Sequence, residues 1–100
     1  MAWTIYTIPS AKRTELDAAL RDDIVSRQSQ KVRAAAALGG AADALYVLVE
    51  GAPEAIRRAE ELLGPVGKKI TPPESDALLA RFKEEEEAAS AGMGLFFTEE

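Results

Sequence analysis

The sequence predicts an α+β domain whose elements follow the order βαββαβ, with an added carboxy-terminal helix and an apolar tail. Three observations predict it. Two runs rich in β-branched and aromatic residues, Trp3 to Ile8 (WTIYTI) and Ala44 to Glu50 (ALYVLVE), are apolar on both faces, as inner strands of a sheet are. Two other stretches repeat apolar residues every three or four positions, which marks amphipathic helices. The two remaining candidate strands carry Lys31 with Arg33 and Lys68 with Lys69, and charge of this kind suits a sheet edge, where it blocks unwanted pairing.

Strand 1, Trp3 to Ile8, stops at Pro9 and Ser10. From Lys12 to Ser26 the positions Leu16, Ala19, Leu20 and Ile24 form one apolar stripe, with Ser10 or Thr14 as the amino-terminal cap. Ser26 to Ser29 breaks that pattern. Lys31 and Arg33 then alternate with Val32, Ala34, Ala36 and Leu38 up to Gly39 and Gly40, which reads as a strand with one wet face, although the alanine run also suits a helix. Residues 39–43 make a turn into strand 3, and Gly51 ends that strand. Pro53 takes a first helical position, and Ala55, Ile56, Ala59, Leu62 and Leu63 make a stripe that closes at Gly64 and Pro65. Val66, Lys68 and Ile70 alternate along a short last strand. Thr71, Pro72, Pro73 and Glu74 have the form of a capping box, and a helix through Leu78, Leu79 and Phe82 is expected to run to about residue 90. Arg81 with Glu85 and Lys83 with Glu87 are spaced as ion pairs along it, so the Glu84 to Glu87 run reads as a solvated helix face.

Right-handed crossovers in this order put strands 1 and 3 in the middle of an antiparallel sheet, order 4-1-3-2. The expected division is residues 1–71 for the sheet and its two helices, and 72–100 for a helix and tail packing on that unit or on a partner subunit. One hundred residues support one hydrophobic core without metal or disulfide.

Composition excludes several function classes. The chain has no cysteine and no histidine, which removes thiolate and imidazole metal sites, cysteine nucleophiles and the commonest general base. No metal and no cofactor is expected. A reducing cytoplasm is the expected compartment, because the first residues lack a basic stretch followed by an apolar core and no long apolar run exists. The net charge of -5 lies entirely in the second half, which opposes nucleic-acid binding. Asparagine is also absent while Glu and Arg are plentiful, which fits a heat-adapted source; a GC-rich genome biases an alanine-rich chain in the same direction.

In a βαββαβ sheet the helices lie on one face, so inner strands apolar on both faces leave a hydrophobic patch that something must cover. The third helix with Leu95, Phe96 and Phe97, the same face of a second subunit, or a ligand would each serve. Trp3, Tyr6, Tyr46 and Leu48 are the inner-strand candidates for that interface, and a homodimer is the expected partner state. Tyr6 and Tyr46 beside Lys31, Arg33 and Lys69 are similar to the RNA-recognition version of the fold, which stacks bases on strands 1 and 3. Leu48 stands where that version has a second aromatic. The order of elements over about residues 2–71, with the strand, glycine, helix rhythm of Tyr46 to Leu63 (YVLVEGAPEAIRRAEELL), resembles ferredoxin-like modules such as the ACT and RAM effector domains and the dimeric α/β barrels. That resemblance implies sheet pairing between subunits and small ligands held near their interfaces; it assigns no site residues. Ser10, Lys12 and Arg13, at the start of helix 1, are the candidate binders of a small anion, against the plainer reading of a cap with two solvated cations. No serine has an identifiable base and no phosphate-binding glycine loop is present, so catalysis is not expected. The expected role is a small interaction or regulatory module.

Overall fold

The computed structural model of the chain describes residues 2–84. Along it run β1 (Ala2–Pro9), α1 (Arg13–Leu20), β2 (Ser29–Ala34), β3 (Ala44–Gly51), α2 (Pro53–Leu63) and β4 (Lys68–Lys69), followed by a helix, α3, whose described residues are 74–84. The strands form one antiparallel sheet in the order β2-β3-β1-β4; counted from the β4 edge, the neighbours run 4-1-3-2. Every residue of β1 has a partner in β3, from Ala2 opposite Gly51 to Pro9 opposite Ala44. The two edge strands are those that carry Lys31 with Arg33 and Lys68 with Lys69.

Alternation along the inner strands builds two cores rather than one. On one face Tyr6, Ile8, Val47 and Val49 pack under α1 and α2, against Leu16, Ile56, Ala59 and Leu63. On the other, Ile5, Tyr46 and Leu48 meet Ile70 and the α3 residues Leu78 and Phe82, joined by Ala35 and Leu38. Ile5 and Leu48 are fully buried. The chain's own third helix therefore covers the middle of the second sheet face. Lys83 fastens it there, donating to Glu50 at 3.1 Å, while Lys31 lies 3.6 Å from the same carboxylate.

Three boundaries differ from expectation. The first helix stops at Leu20 instead of Ser26, without a side-chain cap at Ser10 or Thr14. The reason is Asp22, whose carboxylate accepts the amides of Ile24 and Val25 at 3.1 and 3.3 Å, a local turn that competes with continued helix. A short 3-10 turn follows at Val25–Arg27, and Ile24, expected on the buried stripe, is 48 % exposed. Gln30 closes the segment by donating to the carbonyls of Leu20 and Val25. Strand 2 ends at Ala34, and Ala35–Leu38 wind into a 3-10 turn that delivers two apolar side chains onto the second core, so the alanine run follows its helical rather than its strand tendency. Gly39 ends that turn at φ 84°, a left-handed conformation that glycine adopts without steric cost. The last strand is only two residues long; Ile70 still donates its amide to the Ile5 carbonyl at 3.0 Å.

The early turn at Asp22 is tied to α2 by Arg58, which donates to it at 3.1 Å. That hydrogen bond, helped by the Ile24 and Val25 amides and opposed by burial, holds the Asp22 carboxyl below its ordinary pKa. A carboxylate with a lowered folded-state pKa contributes stability that is complete above its unfolded value, about 3.9, and is lost as pH falls through the folded value. Asp22→Asn is therefore expected to lower the melting temperature at pH 6, with a deficit that shrinks progressively as the pH falls below about 3.9. A deficit independent of pH would place the role of Asp22 in its turn geometry alone.

Candidate functional site

The structure divides the residues expected at a site: Trp3, Tyr46 and Leu48 share the second core, Tyr6 lies in the first, and Ser10, Lys12 and Arg13 stay together on the surface. Side chains of directly paired residues point to the same face, and Tyr6 faces Val47 while Tyr46 faces Thr7, so the two tyrosines lie on opposite faces of the sheet. Both are buried, at 5 and 8 % exposure. They cannot form the joint stacking platform that RNA recognition needs. Tyr6 sits under α2, where its hydroxyl donates to the Glu60 carbonyl at 3.4 Å; burial first, and then the Glu60 charge, pushes its pKa up, while Lys69 opposes. Beside it Thr4, also buried, donates to Glu60 Oε2 at 3.1 Å, and Lys69 Nζ meets the same oxygen at 2.6 Å. The hydrogen bond to Glu60 raises the Lys69 pKa. This is a closed polar cluster that ties β1, β4 and α2 together.

Tyr46 and Leu48 belong to the second core, beneath α3, and Trp3 packs half-buried at its margin. Leu95, Phe96 and Phe97 lie outside the described residues. Two of the donors at the candidate anion site already have partners within the chain. Ser10, Lys12 and Arg13 are all exposed, the Ser10 amide donates to the Asp43 carbonyl at 2.8 Å, and Arg13 bonds Asp17 at 3.2 Å along the helix. One amide and one guanidinium of the three residues are therefore already engaged.

What the sequence did not single out lies next to that helix start. A cleft of about 390 Å³ opens at the end of the inner strands, lined by Thr7 and Pro9 of β1, Ala44 of β3, the preceding Asp43, and residues 65–68 that lead into and begin β4. Thr7, Pro9 and Ala44 are on the same sheet face as Ile5 and Leu48, beyond the part that α3 covers. The opposite wall comes so close that a methyl group at Gly67 would collide with the Thr7 carbonyl oxygen and the Ile8 side chain. Lining is mainly apolar, with one acid, Asp43, and one base, Lys68. No family model matches the chain, and no curated protein or solved structure matches it either. The cleft must therefore be read from its own chemistry. Among the described residues no group of three or more acidic side chains is placed to hold a metal ion, and no helix is long and apolar enough to cross a membrane.

Two signals in the sequence bear on the cleft. Pro65, Val66 and Gly67 form a loop with no side chain at its third position, and Lys68 follows it directly. Without the pairing of Thr7 with Lys68, nothing places that loop against the end of β1.

Proposed function

We propose that the chain is a small, non-enzymatic regulatory module with a ferredoxin-like plait, working in the cytoplasm, and that it acts by binding a small metabolite in the cleft at the end of its second sheet face. The observation that carries this reading is the remainder of that face, which no other described residue covers. Inner strands apolar on both sides need a cover, α3 supplies it over Ile5 and Leu48, and the floor made by Thr7, Pro9 and Ala44 is left to an open concavity within the size range of small-molecule sites, about 300–1,000 Å³. The order of elements and the two helices on one face support the plait assignment.

A thermal-shift screen of amino acids, nucleotides and phosphates tests the reading, since a ligand at one hundred times its dissociation constant stabilises by about 2.7 kcal/mol. Ala44→Trp, which fills the floor, is expected to abolish the shift. No shift across the screen, or a shift untouched by Ala44→Trp, would remove the cleft as the site.

Self-association is the second reading, and the edge charges give it a direction. Two copies joined along β4 would set Lys68 and Lys69 against their own copies, which disfavours extending the sheet at that edge, so a homodimer would use the part of the second face that α3 does not cover or the β2 edge. Light scattering after size-exclusion chromatography is expected to give twice the 10.7 kDa chain mass. A strict monomer at micromolar concentration would end that reading.

A further inference from the structure

We propose that the cleft is closed by the chain's own tail: Leu95, Phe96 and Phe97 seat on the floor made by Thr7, Pro9 and Ala44, and any other ligand must displace them. The inference rests on the reading of the cleft as a binding site and adds its resident occupant. The course of α3 brings the tail to that side of the sheet. Ser75, in the first turn of α3, lies in a recess with Trp3, Ile5 and Ile70, and Arg81 and Glu84, at the far end of its described residues, border Ala37 and Leu38. The chain therefore leaves the described residues on the face where the cleft opens. Twelve residue steps lead from Glu84 to Phe96, and at about 3.3 Å each they reach roughly 40 Å. The sheet is four strands wide, about 15 Å at the usual strand spacing. With helix continuing to residue 90, the seven residues 91–97 still span about 23 Å.

Apolar content, charge and tethering each favour this occupant. A leucine and two adjacent phenylalanines are a large apolar surface to leave in water, since each aromatic side chain has about 150–250 Å² to bury. The cleft offers a mainly apolar lining, and α3 itself cannot fill it, because Phe82 is held in the second core and Lys83 by Glu50. Thr98, Glu99 and Glu100 follow the apolar triplet. Lys68, on the β4 side of the floor, is exposed and has no ion-pair partner among the described residues, whereas Asp43 stands on the β3 side. That polarity seats the two glutamates toward Lys68 and away from Asp43. Three apolar residues bind weakly as a separate peptide, but tethering within one chain presents them at an effective concentration on the order of millimolar, which favours the chain's own cleft over that of a second copy.

The chain has no cysteine, so Thr98→Cys in the full chain takes a single nitroxide spin label. The amide resonances of Thr7, Ala44, Val66 and Gly67 are expected to lose intensity that returns when the label is reduced, while Glu54 and Glu61, exposed on α2 beyond the other sheet face, keep theirs throughout. Adding Phe96→Ser and Phe97→Ser to the labelled chain should restore the four cleft resonances. Undiminished cleft resonances, or a loss that survives the two serines, would overturn the proposal. So would the same loss in a mixture of spin-labelled chain with isotope-labelled chain that lacks the nitroxide, because the tail would then sit in a second copy. The metabolite reading is judged separately by repeating the thermal-shift screen on the Phe96→Ser, Phe97→Ser chain. A compound that competes with the tail should bind that variant about tenfold more tightly if the tail holds the cleft about nine-tenths of the time. Equal affinity for both chains would remove the tail from the cleft and leave the metabolite reading standing. Broadened cleft resonances with no thermal shift in either chain would do the reverse.

Discussion

Replacing Phe82 by alanine is expected to destabilise the protein by about 3–5 kcal/mol, the usual cost of deleting a buried phenylalanine. The side chain is 2 % exposed and is the largest of the fully buried ones, set on Ile5 and Leu48 in the core that lies away from α1 and α2. Domains of this size are stable by only about 5–15 kcal/mol, so the loss is a large part of the whole. It is also expected to act selectively. The core under α1 and α2 shares none of its buried residues with the core under α3, so a cavity at Phe82 loosens α3 first. Urea denaturation should show the lower midpoint, and an apolar dye should bind before the main transition because Ile5 and Leu48 become accessible. Phe82→Leu retains most of the volume and should recover more than half of the loss. A cost below about 1 kcal/mol for Phe82→Ala would mean that α3 is an ornament on the sheet and that its face is covered by other means.

The need for that cover was legible from the sequence because period-two patterning is a strong signal. Runs such as WTIYTI and ALYVLVE place apolar groups on both faces whatever their partners, and a one-residue slip would not change this. Which of the three possible covers is used did not follow from the sequence: Leu78 and Phe82, four residues apart on one stripe, made the third helix able to serve, and only the structure sets it on that face. Local competition was harder to read. Asp22 ends α1 because its carboxylate captures two amides further along the chain, yet helical spacing continues in letters through Ile24. The alanine run was ambiguous for a related reason: alanine packs in either state, and the choice of a 3-10 turn at Ala35–Leu38 depends on Leu38 finding the second core.

The candidate site was less legible still. Opposite faces for Tyr6 and Tyr46 follow from the register of β1 on β3, which pairs Tyr46 with Thr7, and no residue type announces a register. At the candidate anion site the partners that engage the Ser10 amide and the Arg13 guanidinium, Asp43 and Asp17, could not be read from composition. Five of the eight residues lining the cleft beside them are proline, valine, alanine or glycine, which carry no chemical signal in a sequence. It becomes a site only when the loop at Pro65, 56 residues after Pro9, folds back on β1.

That folding back supplies the second large expected effect. Gly67→Ala places a methyl group on the Thr7 carbonyl oxygen and against the Ile8 side chain, and the new carbon would also lie 3.2 Å from the Ile8 Cα. Two of these three neighbours are backbone atoms of an inner strand, so relief cannot come from a rotamer change and must move the loop. Because β4 is two residues long and pairs only with Tyr6 and Thr7, a shift at Gly67 acts directly on the Thr7–Lys68 pair next to it. The expected cost is about 2–3 kcal/mol, toward the upper end for overpacking, with faster hydrogen exchange at the Ile70 amide that donates to Ile5. Gly51→Ala is the control. A methyl group there meets the far end of the Gln28 side chain, which can swing away, so a cost below about 1 kcal/mol is expected. The contrast separates contact with fixed backbone from the general effect of replacing a glycine by alanine, which both variants share. It also bears on the cleft: a displaced loop moves Val66 and Lys68 off the floor made by Pro9 and Ala44, so Gly67→Ala should weaken metabolite binding even at temperatures where the variant remains folded, and Gly51→Ala should leave it unchanged. Equal stability of the two variants in urea would show that the loop does not approach β1 as closely as the Thr7 contact requires, and the cleft would lose its wall.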